Sequence, residues 1–315
     1  MIIDLPTAVD FIKKGDVVAF PTETVYGLGA DAFNIYAIKK TYELKGRPSD
    51  NPLIVHVSSI SQTEKITKNL PDRFYKLAKH FWPGPLTLIV EKDSSVPDQV
   101  TGGLKTVAIR MPDHPVALQL IQQTGPLTAP SANKSGKPSP TKSEHLLQDY
   151  GESLPILDGG STSIGLESTI LDLTTDAPEI LRPGSISHEE ISKVLKVEVT
   201  AFQEKRASDS EPVKSPGTKY THYSPDAEVK WLSKIPNSLE INALYVVHSQ
   251  NQYPDSKNIL SYNGNFTELA KDLYDIFRTA DHQHYEKIYI EELPEQHEDR
   301  LIPALINRIS KACKK

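Results

Sequence analysis

Short apolar runs alternate with longer helical patterns along most of this chain, and few folds can accommodate that order. Runs with the length and composition of buried strands lie at 17–20, 53–57, 86–90, 107–110 and 168–171. Helical patterns lie between or beside them at 7–14, 35–45, 71–81, 115–124, 143–150 and 187–195. Several of these patterns stop at a glycine, the residue that ends helices most easily: Gly15, Gly46, Gly125 and Gly151. The alternation predicts a layered domain of the α/β class with α+β character.

A polar stretch at 203–214 loses all periodicity and almost all apolar content, which predicts a linker. Beyond it, predicted strands at 243–247 and 287–290 alternate with predicted helices at 266–280 and 298–312. That order is typical of a small parallel-sheet domain. We therefore predict a first domain at 1–200, a connecting segment at 201–227 and a second domain at 228–315.

The charge balance argues against a protein that holds nucleic acid mainly through its phosphates. Lys and Arg total 35 against 41 Asp and Glu, a net charge of −6, whereas such proteins are basic. A lone cysteine, Cys313, excludes an intrachain disulfide and a Cys-based zinc module. No secretory pattern opens the sequence, and its longest apolar runs fall far short of the roughly 20 residues that span a bilayer. A cytoplasmic protein without a membrane partner is therefore expected.

The familiar nucleotide-binding and hydrolase motifs are missing from the sequence. There is no G-x-x-x-x-G-K-[ST] loop, and Gly27-Leu28-Gly29 lacks the spacing of a dinucleotide fingerprint. No G-x-S-x-G elbow and no zinc-ligand spacing occurs. No covalent nucleophile is therefore indicated.

Polar loop-like segments instead accompany the predicted strands. Arg110 ends an apolar run, where a half-buried guanidinium needs an anionic partner. Lys45 and Arg47 share one short loop, and this pair of cations suits an oligophosphate. The other polar segments lie at 20–29, 128–140, 165–169 and 181–184.

Each of these features also has a plain structural interpretation. The polar segments can be strand-end turns or solvated loops. His56 can be a core residue whose ring nitrogens are hydrogen-bonded, and Arg110 can be one half of an internal ion pair. Taken together, they place hydroxyls, an amide and three arginines at the strand ends, where open α/β sheets bind ligands. The set suits a small anionic molecule that carries phosphate and hydroxyl groups.

The chain carries a series of short motifs: Pro21–Gly29, Lys45–Pro48, Asn51–Leu53, Trp82–Thr87, Arg110–Pro112, Ala129–Asn133, Glu167–Ile170, Arg182–Gly184 and Ser215–Pro225. Through these motifs, nearly the whole chain resembles the YrdC-like family, in matching order, and in particular its two-domain members, the L-threonylcarbamoyl-AMP synthases. One small departure is Thr218, where methionine is more usual.

The resemblance implies a twisted, mixed, open α/β sheet with a large positively charged cavity, followed by a small Rossmann-like domain. It also implies a reaction in which L-threonine, bicarbonate and ATP give threonylcarbamoyl-AMP and pyrophosphate. The product would pass to a tRNA threonylcarbamoyl transferase, which modifies adenosine next to the anticodon. ATP is then a substrate that brings Mg²⁺ on its phosphates, with unknown metal ligands on the protein. No strong direct nucleic-acid binding is expected.

Residue roles follow from the same resemblance. The threonine site is expected to contain Thr24, His56, Arg110, Ala129 and Ser168. The groups expected to contact ATP are Lys45, Arg47, Asn51, Thr106, Ser131, Asn133, Ser139, Arg182 and Tyr223. Of these, Lys45, Arg47, Ser131 and Asn133 are expected to act on the reacting phosphate. The segment 215–225 would form a lid over the cavity.

Three other functions fit parts of the sequence. The first is an RNA-binding or translation-associated module, which the charge of −6 disfavours. The second is a carbamoyltransferase that uses carbamoyl phosphate, but related proteins of that kind carry Cys-rich zinc fingers, which one cysteine cannot build. The third is a paralogue of unknown activity.

Overall fold

The computed structural model describes residues 1–204, 214–215, 223–249, 256–294 and 299–314. In the first of these ranges the strands are β1 Ile2–Ile3, β2 Val18–Phe20, β3 Gly27–Asp31, β4 Ile54–His56, β5 Leu86–Glu91, β6 Thr106–Arg110, β7 Leu127–Thr128, β8 Ile156–Leu157, β9 Thr169–Asp172 and β10 Glu179–Arg182. Its helices are α1 Leu5–Lys13, α2 Ile35–Lys45, α3 Ile60–Glu64, α4 Asp72–Phe81, α5 Asp98–Thr101, α6 Pro115–Thr124, α7 Ser143–Tyr150 and α8 His188–Leu195.

These strands form one mixed open sheet in the order β1-β8-β2-β3-β7-β4-β6-β5-β9-β10. Parallel pairs such as β4 with β6 lie beside antiparallel pairs such as β5 with β6. Helices cover the sheet because each presents an apolar stripe to it: α1 and α6 pack on Phe20, and α4 and α8 pack on the core around Leu88. The predicted mixed α/β sheet is confirmed.

The predicted elements agree closely with the structure, because strong apolar periodicity is a local signal. Helices α2, α6 and α7 have the predicted bounds, and all four helix-ending glycines have positive φ, with Gly46 in the left-handed α region at φ 59°. Five strands of the first sheet lie outside the predicted runs: β1, β3, β7, β8 and β10. Strand β3, the longest of them, escaped prediction because its sequence, Gly-Leu-Gly-Ala-Asp, is poor in the β-branched residues that mark strands.

The C-terminal domain is built on a second sheet whose described strands are all parallel. Its elements are β11 Glu228–Leu232, β12 Ala243–Val247, β13 Ile259–Ser261, α9 Phe266–His282, β14 Lys287–Glu291 and α10 Ile302–Cys313, with strand order β11-β14-β12-β13. The predicted β-α-β-α pattern is confirmed, although α10 begins four residues later than predicted. Residues 205–213 and 216–222 of the predicted connecting segment lie outside the described residues.

The core of the C-terminal domain continues into the first domain. Leu166 and Val25 pack in the same apolar cluster as helices α9 and α10. At Gly165, with φ 82°, a Cβ would lie 2.4 Å from the backbone of Lys271 on α9, so this close approach requires glycine. The two domains are therefore closely packed beside Glu167 and Ser168. In the described residues no helix is long and apolar enough to cross a bilayer.

Candidate active site

A cavity lies where strands β4 and β6 end and strands β5 and β9 begin. Parallel β4 and β6 pair His56 with Arg110 in register at their carboxyl ends. Strand β5 runs antiparallel to β6 and parallel to β9, so Ser168, just before β9, reaches the same edge. The cavity walls include Thr24, Lys45, Arg47, His56, Arg110, Ala129, Ser131, Asn133, Glu167, Ser168, Arg182 and Tyr223.

The topology thus brings most of the predicted site residues together, but not always in the predicted way. Ser168 precedes its strand, whereas the sequence suggested that polar groups follow strands. The cavity is also narrower than the large one that the resemblance implied: its volume is about 60 Å³, and Tyr223 forms part of its wall. Four of its wall residues carry cationic side chains, as the resemblance implied.

Arg110 is 4% exposed and is held by three neighbours. Its Nε donates to the carbonyl of Gly84 at 3.2 Å, and its Nη1 donates to Oγ1 of Thr24 at 2.8 Å. Its Nη2 lies 2.6 Å from Oε1 of Glu23, so the internal ion pair considered from the sequence is present. These contacts fix the plane of a guanidinium that can still present its edge to a carboxylate.

His56 lies beside Arg110 and is a neutral group at physiological pH. Burial, together with the charge of Arg110, lowers the pKa of His56 to about 3. Its Nδ1 lies 3.4 Å from the carbonyl of Ile54, and its ring meets Phe20 edge to face. A neutral imidazole is a hydrogen-bond partner rather than a second cation for an anionic ligand.

Ser168 and Arg182 are linked on the other side of Arg110. The Ser168 hydroxyl lies 2.7 Å from that of Thr87. Arg182 donates through Nε and Nη2 to the Ser168 carbonyl at 3.1 and 2.9 Å. A Cβ on Gly184 would lie 2.3 Å from the backbone nitrogen of Thr169, so glycine is required for this approach. The positions of Ser168 and Arg182 therefore depend on each other.

Lys45 is the last residue of helix α2, and Arg47 lies two positions beyond it. Gly46 in the left-handed conformation ends the helix between these two residues, and the side chains of Lys45 and Arg47 both line the cavity. Lys45 Nζ donates to the carbonyls of Ser131 and Asn133 at 2.5 and 2.6 Å. Burial, reinforced by the charge of Arg47, holds the pKa of Lys45 well below its usual range. Burial also lowers the pKa of Arg47 to about 10, which leaves its guanidinium charged at neutral pH.

The loop after β7 presents its polar groups to these cations. Ser131 Oγ donates to Oδ1 of Asn133 at 2.6 Å. The amide of Asn133 donates to the carbonyls of Lys134 and Lys137 at 2.9 and 2.8 Å. With Lys45 holding two of its carbonyls, this loop is a rigid polar wall.

Tyr223 closes another side of the cavity. Its ring stacks on that of Tyr274 with centroids 5.5 Å apart and lies 5.3 Å from the guanidinium carbon of Arg308. Its backbone has φ 67°, a conformation that side-chain-bearing residues adopt rarely. Tyr223 is thus a buried residue of the cavity wall, and residues 216–222 of the predicted lid lie outside the described residues.

Three predicted ATP residues do not line the cavity. Asn51 is buried behind it, and its carbonyl accepts hydrogen bonds from Tyr42 and Arg47 at 3.0 and 3.3 Å. Ser139 is buried and donates to Oε1 of Glu167 at 2.6 Å. Thr106 begins strand β6, roughly 13 Å along the chain from Arg110. Among the three, Thr106 is the one that this geometry supports least.

Sequence reasoning assigned no role to four residues that shape the site. Glu23 and Glu167 directly precede the predicted residues Thr24 and Ser168, so a carboxylate inside a predicted motif was the available signal. Their pairing with Arg110 and Arg308 is visible only in the structure. Tyr274 and Arg308 lie on helices of the C-terminal domain and had no signal beyond helical periodicity. Both nevertheless contact Glu167.

Two family models together cover most of the chain. A model for the Sua5, YciO and YrdC proteins, described as telomere recombination, matches residues 10–184. A second, described as the C-terminal domain of threonylcarbamoyl-AMP synthase, matches residues 186–313. Their boundary falls between strand β10 and helix α8.

Two threonylcarbamoyl-AMP synthases are similar to this chain over most of its length. The threonylcarbamoyl-AMP synthase of Bacillus subtilis (strain 168) is 43% identical over 97% of this chain and 91% of its own length. The synthase of Pyrococcus abyssi (strain GE5 / Orsay) is 52% identical over 70% of this chain and 66% of its own. Neither alternative, an RNA-binding module or a carbamoyltransferase, is supported by these names.

Solved structures give the same result. The crystal structure of P. abyssi Sua5 complexed with L-threonine has a TM-score of 0.87 and 39% identity, covering 99% of this chain and 97% of that one. E. coli YciO, at 22% identity and a TM-score of 0.53, shares the fold of 61% of the chain. The chain therefore belongs to the threonylcarbamoyl-AMP synthase family, in its two-domain form.

Proposed function

We propose that the cavity binds L-threonine and ATP together and that the protein joins them, with bicarbonate, into threonylcarbamoyl-AMP. The observation that carries this proposal is the presence of two chemically different sets of groups in one cavity. Arg110 stands among hydroxyls, which suits an amino acid with a carboxylate and a hydroxyl. Lys45, Arg47 and Arg182 provide three further cations, which suit a triphosphate.

In this proposal Arg110 takes the α-carboxylate of threonine. Glu23 and Thr24 hold its guanidinium in place, so little ordering is required on binding. Neutral His56 and the Ser168 hydroxyl are the partners for the substrate hydroxyl, and the backbone at Ala129 supports the same site. A site that binds such a hydroxyl rejects the isostere that lacks it by about 10⁴–10⁵.

ATP takes the remaining groups. Lys45, Arg47 and Arg182 offset the charge of the phosphates, and Ser131 and Asn133 orient the phosphate chain. Tyr223 is the remaining proposed contact, while Asn51 and Ser139, which do not line the cavity, support the site from behind without touching ATP.

The chemistry needs no covalent bond to the protein. The ammonium group of threonine first loses a proton to solvent, and the free amine attacks the carbon of bicarbonate to give a carbamate with loss of water. If CO₂ forms first, the water is lost in that step, which consumes a proton, and the attack of the amine on CO₂ releases a proton. A carbamate oxygen then attacks the α-phosphorus, and the bond to the bridging oxygen breaks to release pyrophosphate. Such a reaction, that of a nucleotidyltransferase, requires positioning and charge stabilisation. This agrees with the absence of nucleophile motifs from the sequence.

Mg²⁺ is proposed to enter with ATP. Within the described residues no three His, Cys, Asp or Glu side chains converge on one point, and Glu167 is already engaged by cationic and hydroxyl donors. Mg²⁺ often binds through substrate phosphates and water with few protein carboxylates, and this residue set fits that mode. When bound, the ion would neutralise phosphate charge.

The rest of the proposal follows the sequence resemblance. The product passes to a tRNA threonylcarbamoyl transferase in the cytoplasm, and the protein does not itself hold nucleic acid strongly. Residues 1–200 form the catalytic domain, 201–227 the linker and lid, and 228–315 the C-terminal domain.

The direct test is the release of pyrophosphate from ATP in the presence of bicarbonate and threonine. We expect release to depend on threonine, and the adenylate to be detected by mass spectrometry. Valine, which has the shape of threonine without the hydroxyl, is the matched control and should support no release above background. Threonine-independent release, or equal release with valine, would overturn the proposed function.

Replacing Tyr223 by alanine should lower kcat/KM by about 10- to 100-fold, because a gap in the wall admits water and loosens the bound ATP. Tyr223→Phe keeps the stacked ring and should retain most of the activity. Steady-state kinetics together with a thermal melt separate this effect from unfolding. Unchanged turnover in Tyr223→Ala would contradict the proposal that Tyr223 is part of a lid over the cavity.

A further inference from the structure

Glu167 is the one acidic side chain among the cavity-lining residues that the structure describes. Burial alone would raise the pKa of this carboxyl, but the charges of Arg308 and Arg182 outweigh burial and lower it to about 2. The group is therefore ionised at neutral pH. An uncompensated carboxylate at this point would repel a triphosphate and attract Arg182 away from it.

Three donors engage this carboxylate, and two of them come from the C-terminal domain. Ser139 Oγ donates to Oε1 at 2.6 Å. Tyr274 donates from α9 to Oε2 at 2.9 Å, and Arg308 donates through Nε from α10 to the same oxygen at 2.8 Å. The C-terminal domain thus supplies the cation that directly pairs with Glu167.

Arg308 also reaches the flanks of the proposed ATP site. It is 0% exposed, and its Nη2 donates to the carbonyl of Pro183, the residue after Arg182, at 3.1 Å. Its Nη1 donates to Oδ1 of Asn307 at 2.7 Å, and its guanidinium lies against the ring of Tyr223. One side chain therefore contacts the neighbours of Ser168 and Arg182 and the wall residue Tyr223.

We propose that Arg308 is a positioning residue for the nucleotide: it neutralises Glu167 and so leaves Arg182 available for the phosphates of ATP. This inference rests on the proposed ATP role of the cavity. It assigns the C-terminal domain a part in completing the nucleotide site, in addition to any part in covering it. Arg308 itself does not line the cavity and so does not contact ATP in this proposal.

The test is the dissociation constant of ATP, measured by calorimetry without threonine. Arg308→Met keeps the side-chain length but removes the charge and the donors, and ATP should bind about tenfold more weakly because a buried carboxylate loses its charged partner. Adding Glu167→Gln to Arg308→Met should restore affinity to within about threefold of wild type, since replacing both partners is nearly neutral. If Arg308→Met acted only by loosening the contact between the two domains, adding Glu167→Gln would not restore the affinity for ATP.

Arg278→Met is the matched control. Arg278 is a buried arginine on α9 that pairs with Asp149 of the first domain at 2.8 Å and donates to the carbonyls of Pro138 and His145 rather than to Glu167. The variant Arg278→Met should weaken the contact between the two domains, which a thermal melt would show as a lower melting temperature. It should change the affinity for ATP by less than about twofold.

Any of three results would overturn the inference: unchanged ATP affinity in Arg308→Met, an equal loss in Arg278→Met, or no rescue by Glu167→Gln. If Arg308→Met does not fold, Tyr274→Phe removes one neutral donor and should weaken ATP binding about threefold, and unchanged affinity there also overturns it. The proposed function is judged separately, by threonine-dependent pyrophosphate release in the wild type. Calorimetry with ATP needs no turnover, so the two outcomes are distinguishable.

Discussion

Replacing Arg110 by alanine should abolish threonine binding at millimolar concentrations and with it threonine-dependent pyrophosphate release. Truncating one member of a buried, hydrogen-bonded charge pair costs about 2–5 kcal/mol, or about 30- to 4,000-fold in affinity. The loss should be near the upper end of this range, because Glu23 would remain buried and would repel the substrate carboxylate. Calorimetry with threonine alone measures it.

Two further variants serve as comparisons for Arg110→Ala. Arg110→Lys keeps the charge but loses the planar fork, so we expect a smaller loss of affinity. Arg73→Ala removes an arginine that caps carbonyls of Leu173, Thr175 and Asp176 away from the cavity, and threonine affinity should not change. Wild-type affinity in Arg110→Ala would contradict the threonine site as a whole.

Replacing Lys45 by methionine should lower kcat/KM for ATP by about 100- to 1,000-fold, the usual cost of removing one pre-organised donor from a charge-stabilising site. The variant loses a cation, and it also leaves the carbonyls of Ser131 and Asn133 without their donor, so the loop that faces the phosphates loosens. Affinity for threonine alone should change by less than about threefold, because Arg110 and its partners are untouched.

Lys40→Met is the matched control for Lys45→Met. Lys40 lies on the same helix, α2, and forms an exposed ion pair with Asp16 at 2.7 Å. Lysine and methionine have similar helix propensities, so both variants test side-chain chemistry rather than helix formation. Near-normal ATP kinetics in Lys45→Met, or an equal loss in Lys40→Met, would show that the proposed role of Lys45 is wrong.

Much of the fold was predictable because its determinants are local. Helices α2, α6 and α7 were correct to the residue, since apolar periodicity and a following glycine act within a few turns. Strand β3 was missed because its packing depends on neighbouring strands rather than on strand-forming residues. The order of the ten strands in the sheet could not be predicted either, because it depends on pairing between segments that are distant in the sequence.

The candidate site was predictable in its members but not in its contacts. Eleven of the predicted residues line one cavity, because their motifs lie at strand ends and loops that the sheet brings together. The motifs did not reveal that Lys45 holds backbone carbonyls or that His56 is neutral. Both properties come from burial, which depends on the whole fold.

The sequence by itself therefore determined most of the longer helices and the most apolar strands through their periodicity, and the two-domain family and the chemical character of the ligands through short motifs. Only the tertiary structure decided which charges are paired. Glu167 and Arg308 lie 141 residues apart and meet because helix α10 packs against the start of β9. Spacing along the chain carries no information about such a contact, because burying a charge is favourable only where the folded domains supply its partner.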